Sequence, residues 1–496
     1  MSFNKLKDIA KKIFSRDGGV SKKTIQGTFW LFAFRITDQS FNFGQTVILA
    51  HIISPNDFGL FGVAFIAISA LESFSQTGFD QALIQKKESI EPYLDTAWFI
   101  QIVRSVVLAA ILILIAPFVA SIFNAPQAAL VSQVLALSIL IQGFINIGVV
   151  YFGKDLEFNK FFVYQLFGTV IKFIAVVAAA FIFRNVWALV VGLIAGNLVR
   201  LVASYALHSY RPHFRFDYKK AKELFGFGKW ILVSNVLNFF LLQADSIFVG
   251  RLLGVVSLGF YQLAYKISSI TSSDIVSGAI FPAYSKIQQD MGKMVKAYLK
   301  TIRFLLFIFT PVTGGIIVVA TEFVSVFLGQ QWLPAVGSMR LLCLVGLISI
   351  FDVVSAPVLK AIGQPRTQTK YGAVRLVVFL ILLYPSIKMW GIMGASLAVL
   401  ISVIVSVAGM VIATVSVINC KWTDLLKEIG IPVVNCALMM LVVFFLNNFV
   451  ESGYIGFFIL VFSGVVSYFL FVFISDRFLN YKIYAFIKEN FLILIS

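Results

Sequence analysis

Charge is scarce in this chain, and so are cysteine and histidine. Of its 496 residues only 13% are Asp, Glu, Lys or Arg, while 59% are hydrophobic, and there are three cysteines and three histidines. Soluble domains carry about a quarter charged residues, so this scarcity excludes an ordinary soluble fold. A mean hydropathy of +0.93 agrees, and the class it leaves is an integral membrane protein. Cys343, Cys420 and Cys436 lack metal-ligand spacing, which leaves no disulfide framework and no zinc site to expect. His51, His208 and His213 are scattered, and no Walker-type phosphate loop occurs. Neither a metal nor a cofactor is therefore expected, and ATP hydrolysis within the chain is not. No break on the sparsely charged side exceeds roughly ten residues, too little to present the acid and base of a glycan polymerase or ligase. The reading is a protein that is not an enzyme.

What is present is a succession of apolar runs of about twenty residues, each long enough to cross a hydrocarbon core as a helix. They predict an all-α polytopic membrane protein with about fourteen transmembrane helices. The layout expected is an amphipathic interfacial segment over 1–26, a six-helix lobe over 27–208, a linker over 209–225, a second six-helix lobe over 226–418, two further helices over 419–476 and a tail over 477–496. Only "MWGIMG" separates the eleventh and twelfth spans. Lysine and arginine gather in the amino-terminal segment and in alternate breaks, with Arg184, Arg251 and Lys388 in the other set. By the positive-inside rule both termini are cytoplasmic. The net charge of +17 is then a topological signature, with membrane lipid headgroups rather than nucleic acid as its partner. In "FNKLKDIAKKIFSR", Phe3, Leu6, Ile9, Ala10, Ile13 and Phe14 share one helical face opposite the lysines, as an interfacial helix requires. No small-residue cleavage site follows a short apolar core there, so no cleaved signal peptide is read.

The stretch "ILAHIISPNDFGLFGVAF" has an ungapped echo in "FVGRLLGVVSLGFYQLAY", 200 positions later. The shift aligns Trp30 with Trp230, Gly59 with Gly259, Ala64 with Ala264, Ser69 with Ser269, Ser73 with Ser273 and Gly78 with Gly278. An even number of predicted spans separates the two units, which makes the halves parallel repeats about an axis along the membrane normal.

Polar residues inside the spans repeat as well. Arg35, Asp38, Asn42 and Gln45 fall at three- and four-residue intervals on one helical face, and Ser69, Glu72, Ser73, Gln76 and Asp80 do the same on the next helix. Their echoes are Asn235, Asn238 and Asp245, then Gln262, Lys266, Ser269 and Ser273. A charged side chain at mid-bilayer costs roughly 2.5–3.5 kcal/mol on insertion scales, so these faces are expected to line a hydrated cavity. Asn42, Gln45, Gln76, Asn235, Asn238, Asp245 and Gln262 form its polar stripe. Arg35 and Glu72 lie at similar depth and are expected to pair, with Arg35 and Asp38 as alternative i, i+3 partners. Arg104, Lys172 and Lys266 have no acidic neighbour one turn away, and as embedded cations they suit an anionic group such as a phosphate or a uronic acid. Gln142, Asn146 and Asn197 read as interhelical hydrogen-bonding groups, and Arg200, Arg340, Asp274, Glu322 and Asp352 as secondary candidates nearer helix ends. His51, beside the first break, reads as an interfacial residue.

The opening stretch, "TGFDQALIQKKESIEPYLDTAWFIQIVR", "FGKWILVSNVLNFFLLQADSIFVGRLLGVVSLGFYQLAYKI" and "IFPAYSKIQQD" resemble the Wzx-type oligosaccharide flippases, in particular the branch around colanic acid and teichuronic acid exporters. That family sits in the superfamily of the multidrug extruders and the lipid II flippase. The resemblance spans essentially the whole chain. It implies a bacterial cytoplasmic-membrane protein that moves undecaprenyl-diphosphate-linked oligosaccharide outward by alternating access, among polysaccharide polymerases and other assembly proteins. It further implies a basic central cavity for the diphosphate-sugar head, for which Arg35, Arg104, Lys172 and Lys266 qualify by depth. Asp38 and Glu72 are the candidates for ion or proton coupling. The competing reading is a cation-coupled small-molecule or drug antiporter of the same fold.

Overall fold

The structure, a computed structural model, describes residues 20–76, 78–86, 89–271, 274–451 and 453–479. The amphipathic pattern from Phe3 to Phe14 and most of the expected tail lie outside these residues. Every regular element among them is helical. Backbone groups in hydrocarbon must be satisfied within the chain, and a helix does this segment by segment.

The chain divides by its internal contacts into two compact units, Met1–Gln262 and Leu263–Ser496. The first holds α1 (Val20–Ile52), α2 (Pro55–Ser75), the short α3 (Phe79–Gln85), α4 (Glu91–Ile122), α5 (Gln127–Gly143), α6 (Val150–Lys154), α7 (Phe158–Phe183), α8 (Trp187–Leu207), α9 (Tyr218–Leu253) and the start of α10 (Val255–Ser268). The second holds the rest of α10, α11 (Asp274–Ser285), α12 (Met291–Phe323), α13 (Val336–Ala361), α14 (Pro365–Val417), α15 (Trp422–Asn447) and α16 (Tyr454–Leu479).

Ten of the described helices are long and apolar enough to cross a membrane, or eleven if Gln127–Gly143 and Ile147–Lys154, bent by 67°, count as one broken span. The difference from the predicted fourteen has local causes. α1 is diluted by its own polar face, and α10 is short and runs into a 3-10 turn at Ser269–Thr271. The eleventh and twelfth predicted spans form one 53-residue run, α14, broken only at Gly391 (φ 58°, ψ −135°). That backbone position is open to glycine and closed to side chains, so the "MWGIMG" break is real even though no loop marks it.

In the first unit the turn at Ser54 starts α2 by a hydroxyl cap. Ser54 Oγ accepts from the Asp57 amide at 3.2 Å and donates to Asp57 Oδ2 at 2.6 Å, with Pro55 at the first helical position. Asp57 Oδ1 also accepts from the Val186 amide at 3.1 Å, joining this turn to the start of α8. α1 packs on α7 through aromatic pairs, among them Trp30 with Phe162 and Phe41 with Phe173 at 5.1 and 5.3 Å between centroids. α7 and α8 approach at small residues: a Cβ on Gly192 would lie 1.7 Å from a Val176 methyl, and one on Gly196 2.9 Å from Lys172 Cβ.

The sequence repeat has a physical counterpart within this unit. A Cβ on Gly59 would lie 1.9 Å from the Val255 carbonyl oxygen, one on Gly259 2.0 Å from that of Pro55, and one on Gly62 2.5 Å from the Gln262 side chain. Pro55 and Val255, Gly59 and Gly259, and Gly62 and Gln262 are 200-residue mates. The first residues of α2 and α10 therefore cross with each contact answered by its own equivalent, the signature of a two-fold relation.

The second unit centres on α12, which packs against α13, α15 and α16. Arg303 on α12 forms an ion pair with Glu428 on α15, Asn447 donates to Glu322 Oε1 at 2.8 Å, and Ser475 on α16 donates to Asn435 at 2.8 Å.

Candidate functional site

Two polar groups are built inside the first unit. One arises where α2, α4 and α5 meet. Glu72, Ser75 and Gln76 share a face of α2, and α4 presents Gln101 and Arg104 one turn apart. α5 comes close to α4 because position 143 is glycine; a Cβ there would sit 1.8 Å from Ser105 Oγ. Arg104 Nε donates to Ser75 Oγ at 3.0 Å. The Glu72 carboxylate lies near the Gln142 amide and feels the Arg104 guanidinium as an opposite charge. Gln101 Nε2 donates to the Gln142 and Gly143 carbonyls at 3.0 and 3.2 Å, satisfying acceptors that the end of α5 leaves open. Phe158, Phe161, Tyr164 and Gln165 of α7 form a facing wall, and the partly open cavity has a volume of about 450 Å³. Its described lining carries one cation, Arg104, and one anion, Glu72.

The other group joins α1, α7 and α8. Asp38 and Asn42 lie one turn apart on α1, Thr169 and Lys172 one turn apart on α7. Thr169 Oγ1 donates to Asp38 Oδ1 at 2.8 Å, Asn42 Nδ2 donates to Asp38 Oδ2 at 2.9 Å, and Lys172 Nζ donates to Asn42 Oδ1 at 3.2 Å. Lys172 feels the charges of both Asp38 and Arg200. The Arg200 side chain lies over Gly168, where a Cβ would meet it at 2.5 Å, and its buried Nε has no hydrogen-bond partner. Two cations face one carboxylate here, so this group is net positive.

The predicted residues divide between these groups and other places. Arg104, Glu72 and Gln76 line the cavity, and Gln76 Oε1 accepts from Asn235 Nδ2 at 3.1 Å. Asp38, Asn42 and Lys172 form the α1, α7 and α8 cluster. The expected pairing of Arg35 with Glu72 or Asp38 is corrected: no ion pair joins them among the described residues, Asp38 accepts from Thr169 and Asn42, and Arg35 stands on an exposed part of α1. Helix spacing gave similar depth but not the rotation that decides which side chains meet. Gln45 is buried, Asn238 is exposed, and Gln262 packs against Gly62. Asp245, at 2% exposure, accepts from the Tyr261 hydroxyl at 2.8 Å, a bond between α9 and α10. Lys266 is half-buried on the part of α10 that belongs to the second unit. His51 is exposed at the end of α1.

Asn146 and Asn197 do bond between helices and loops, Asn197 to Ser138 and Asn146 to the Tyr210 carbonyl at 2.7 Å. Sequence reasoning missed Gln101, Gln165 and Thr169. Their signal was present as spacing: Gln101 precedes Arg104 by one turn, and Gln165 and Thr169 precede Lys172 by two turns and one.

Residues 48–337, more than half of the chain, match the family described as "Polysaccharide biosynthesis protein". The chain belongs to the polysaccharide biosynthesis protein family. This family member is 24% identical to the lipopolysaccharide biosynthesis protein WzxC of Escherichia coli K12 over 390 residues, covering 78% of this chain and 79% of that one. It is 26% identical to the succinoglycan biosynthesis transport protein ExoT of Rhizobium meliloti 1021 over 370 residues, 74% of this chain and 73% of that one. Its fold is that of the lipid II flippase MurJ in an inward closed conformation, with a TM-score of 0.73 at 16% identity over 90% of this chain and 99% of MurJ. The family member is a multi-pass membrane protein, and its matched region contains the cavity lining from Glu72 to Gln165 together with Lys172 and Arg200.

Proposed function

We propose that this protein translocates an undecaprenyl-diphosphate-linked oligosaccharide across the bacterial cytoplasmic membrane by alternating access, with both termini cytoplasmic. One observation carries the reading: the polysaccharide family match runs through the polar interior of the first unit. Hydrated polar groups inside lipid-spanning helices are costly and mark a substrate or ion path. The lipid tail stays in the bilayer while the head passes through protein.

Arg35, Lys172 and Lys266 are the proposed contacts of the anionic head. For Lys172 the support is the net positive cluster around it. Arg104 leaves that set, because Glu72 offsets it. Asp38 and Glu72 are proposed to couple transport to a cation or proton, since an equilibrium between two access states shifts only through differential affinity. The relatives named for a function are named for polysaccharide synthesis or transport, which favours this cargo over a drug or metabolite carried by an antiporter of the same fold. Polymerases and other assembly proteins are its proposed neighbours.

A strain lacking the gene tests the reading. It should accumulate lipid-linked oligosaccharide on the cytoplasmic side and lose the surface polymer. Normal polymer, or drug sensitivity without any lipid-linked intermediate, would overturn it.

A further inference from the structure

We infer that the cavity between α2, α4, α5 and α7 is a neutral-sugar subsite: it takes an uncharged pyranose of the glycan and excludes the diphosphate. The inference rests on the glycan-transport reading and divides the cargo between two places.

Charge excludes the diphosphate. The described lining has one arginine and one glutamate, so the lining itself offers no net positive charge to replace the water lost by a multiply charged anion. The Glu72 carboxylate would repel it in addition, and like-charge juxtaposition costs several kcal/mol. The cluster of Lys172, Arg200 and Asp38 has the sign that the cavity lacks.

The rest of the lining suits a sugar. A pyranose presents apolar C–H faces and a rim of hydroxyls, each hydroxyl both donor and acceptor. Amides match that rim because one side chain offers both functions. Gln76, Gln101, Gln142 and Gln165 all line the cavity. Two are already fixed by other bonds: Gln101 to carbonyls of α5 and Gln76 to Asn235. Such bonds hold the groups in place before the ligand arrives. Gln165 makes no hydrogen bond to any described residue, and its amide is left to a ligand. Phe158 and Phe161 supply apolar surface for the ring faces. A volume of about 450 Å³ lies at the small end of ligand pockets, room for roughly one or two rings rather than a whole repeat unit.

Gln165→Cys provides the reporter. The full-length protein is alkylated in detergent, and modification of the introduced thiol is read by peptide mass, with the buried Cys343, Cys420 and Cys436 as internal references. The probes are free glucose, galactose and N-acetylglucosamine, and inorganic pyrophosphate. At about three times its Kd a neutral sugar should slow alkylation about fourfold. Pyrophosphate should leave the rate unchanged, and Gln142→Leu in the same background should abolish the protection. Protection by pyrophosphate and not by sugar would overturn the inference. So would the absence of protection by any of the sugars, both at this reporter and at a second one, Gln76→Cys, in protein whose thermal midpoint matches the unsubstituted chain. A deletion strain that accumulates lipid-linked glycan while the sugars fail to protect would sink the subsite alone; a strain without that intermediate would sink the transport reading itself.

Discussion

Arg303 and Glu428 show what a charge requires inside this protein. The glutamate side chain is 8% exposed and the arginine 24%, and they meet across α12 and α15. Removing Arg303 strands the buried glutamate, a loss of about 3–5 kcal/mol for a buried pair, whereas replacing both by apolar groups of similar volume is often neutral. Glu428→Gln or Arg303→Met alone should therefore lower the thermal midpoint sharply, and Arg303→Met with Glu428→Leu should restore most of it. A double variant as unstable as the sum of the singles would show that the pair has a further role. The same rule explains which site residues were legible. Embedded charge stood out in sequence at Glu72, Arg104 and Lys172 because it is rare. Their partners did not, since Arg104 meets Ser75 and Lys172 meets Asn42 only between helices.

Elements were read more easily than contacts. The Ser54 turn and the break at Gly391 both interrupt apolar runs, and each is visible as turn residues or as a short glycine-bearing gap. The bend after α5 was hidden, because Phe144 to Asn146 is nearly as apolar as the helix before it. Where α2 crosses α10, Gly59 lies under a backbone carbonyl, which cannot rotate away as a side chain would. Gly59→Ala should force the helices apart at about 1–3 kcal/mol. Gly259→Ala should cost a similar amount, and the double variant less than the sum, because the two methyls open one shared crossing. Thermal unfolding of the three variants measures this; strict additivity would mean that the two contacts are independent.

At the scale of the whole molecule, the mating of the first hairpin with its echo was legible as a 200-residue shift, while the seat of the cavity was not. The polar stripe drew attention to α1, α2, α9 and α10, whereas the cavity takes most of its lining from α2, α4, α5 and α7. Gln101, Gln142 and Gln165 sit singly among apolar neighbours, and only packing assembles them. Its balance of one arginine and one glutamate gives a test at the level of transport. Glu72→Gln or Arg104→Gln alone leaves one uncompensated charge and should lower surface polymer at normal protein abundance. The double replacement, neutral again, should export more than either single variant. A double variant worse than both singles would mean that each charge acts on the cargo or on a coupling ion by itself.

The crossing of α2 and α10 also bears on ancestry. A chain holding only one copy of that hairpin would have a self-complementary surface, since two such chains would meet with the Gly59 of each beneath the Pro55 carbonyl of the other. Joining two copies end to end would then keep a dimer contact instead of inventing one. It would also tie the copies together: a larger residue at either glycine is felt by both hairpins.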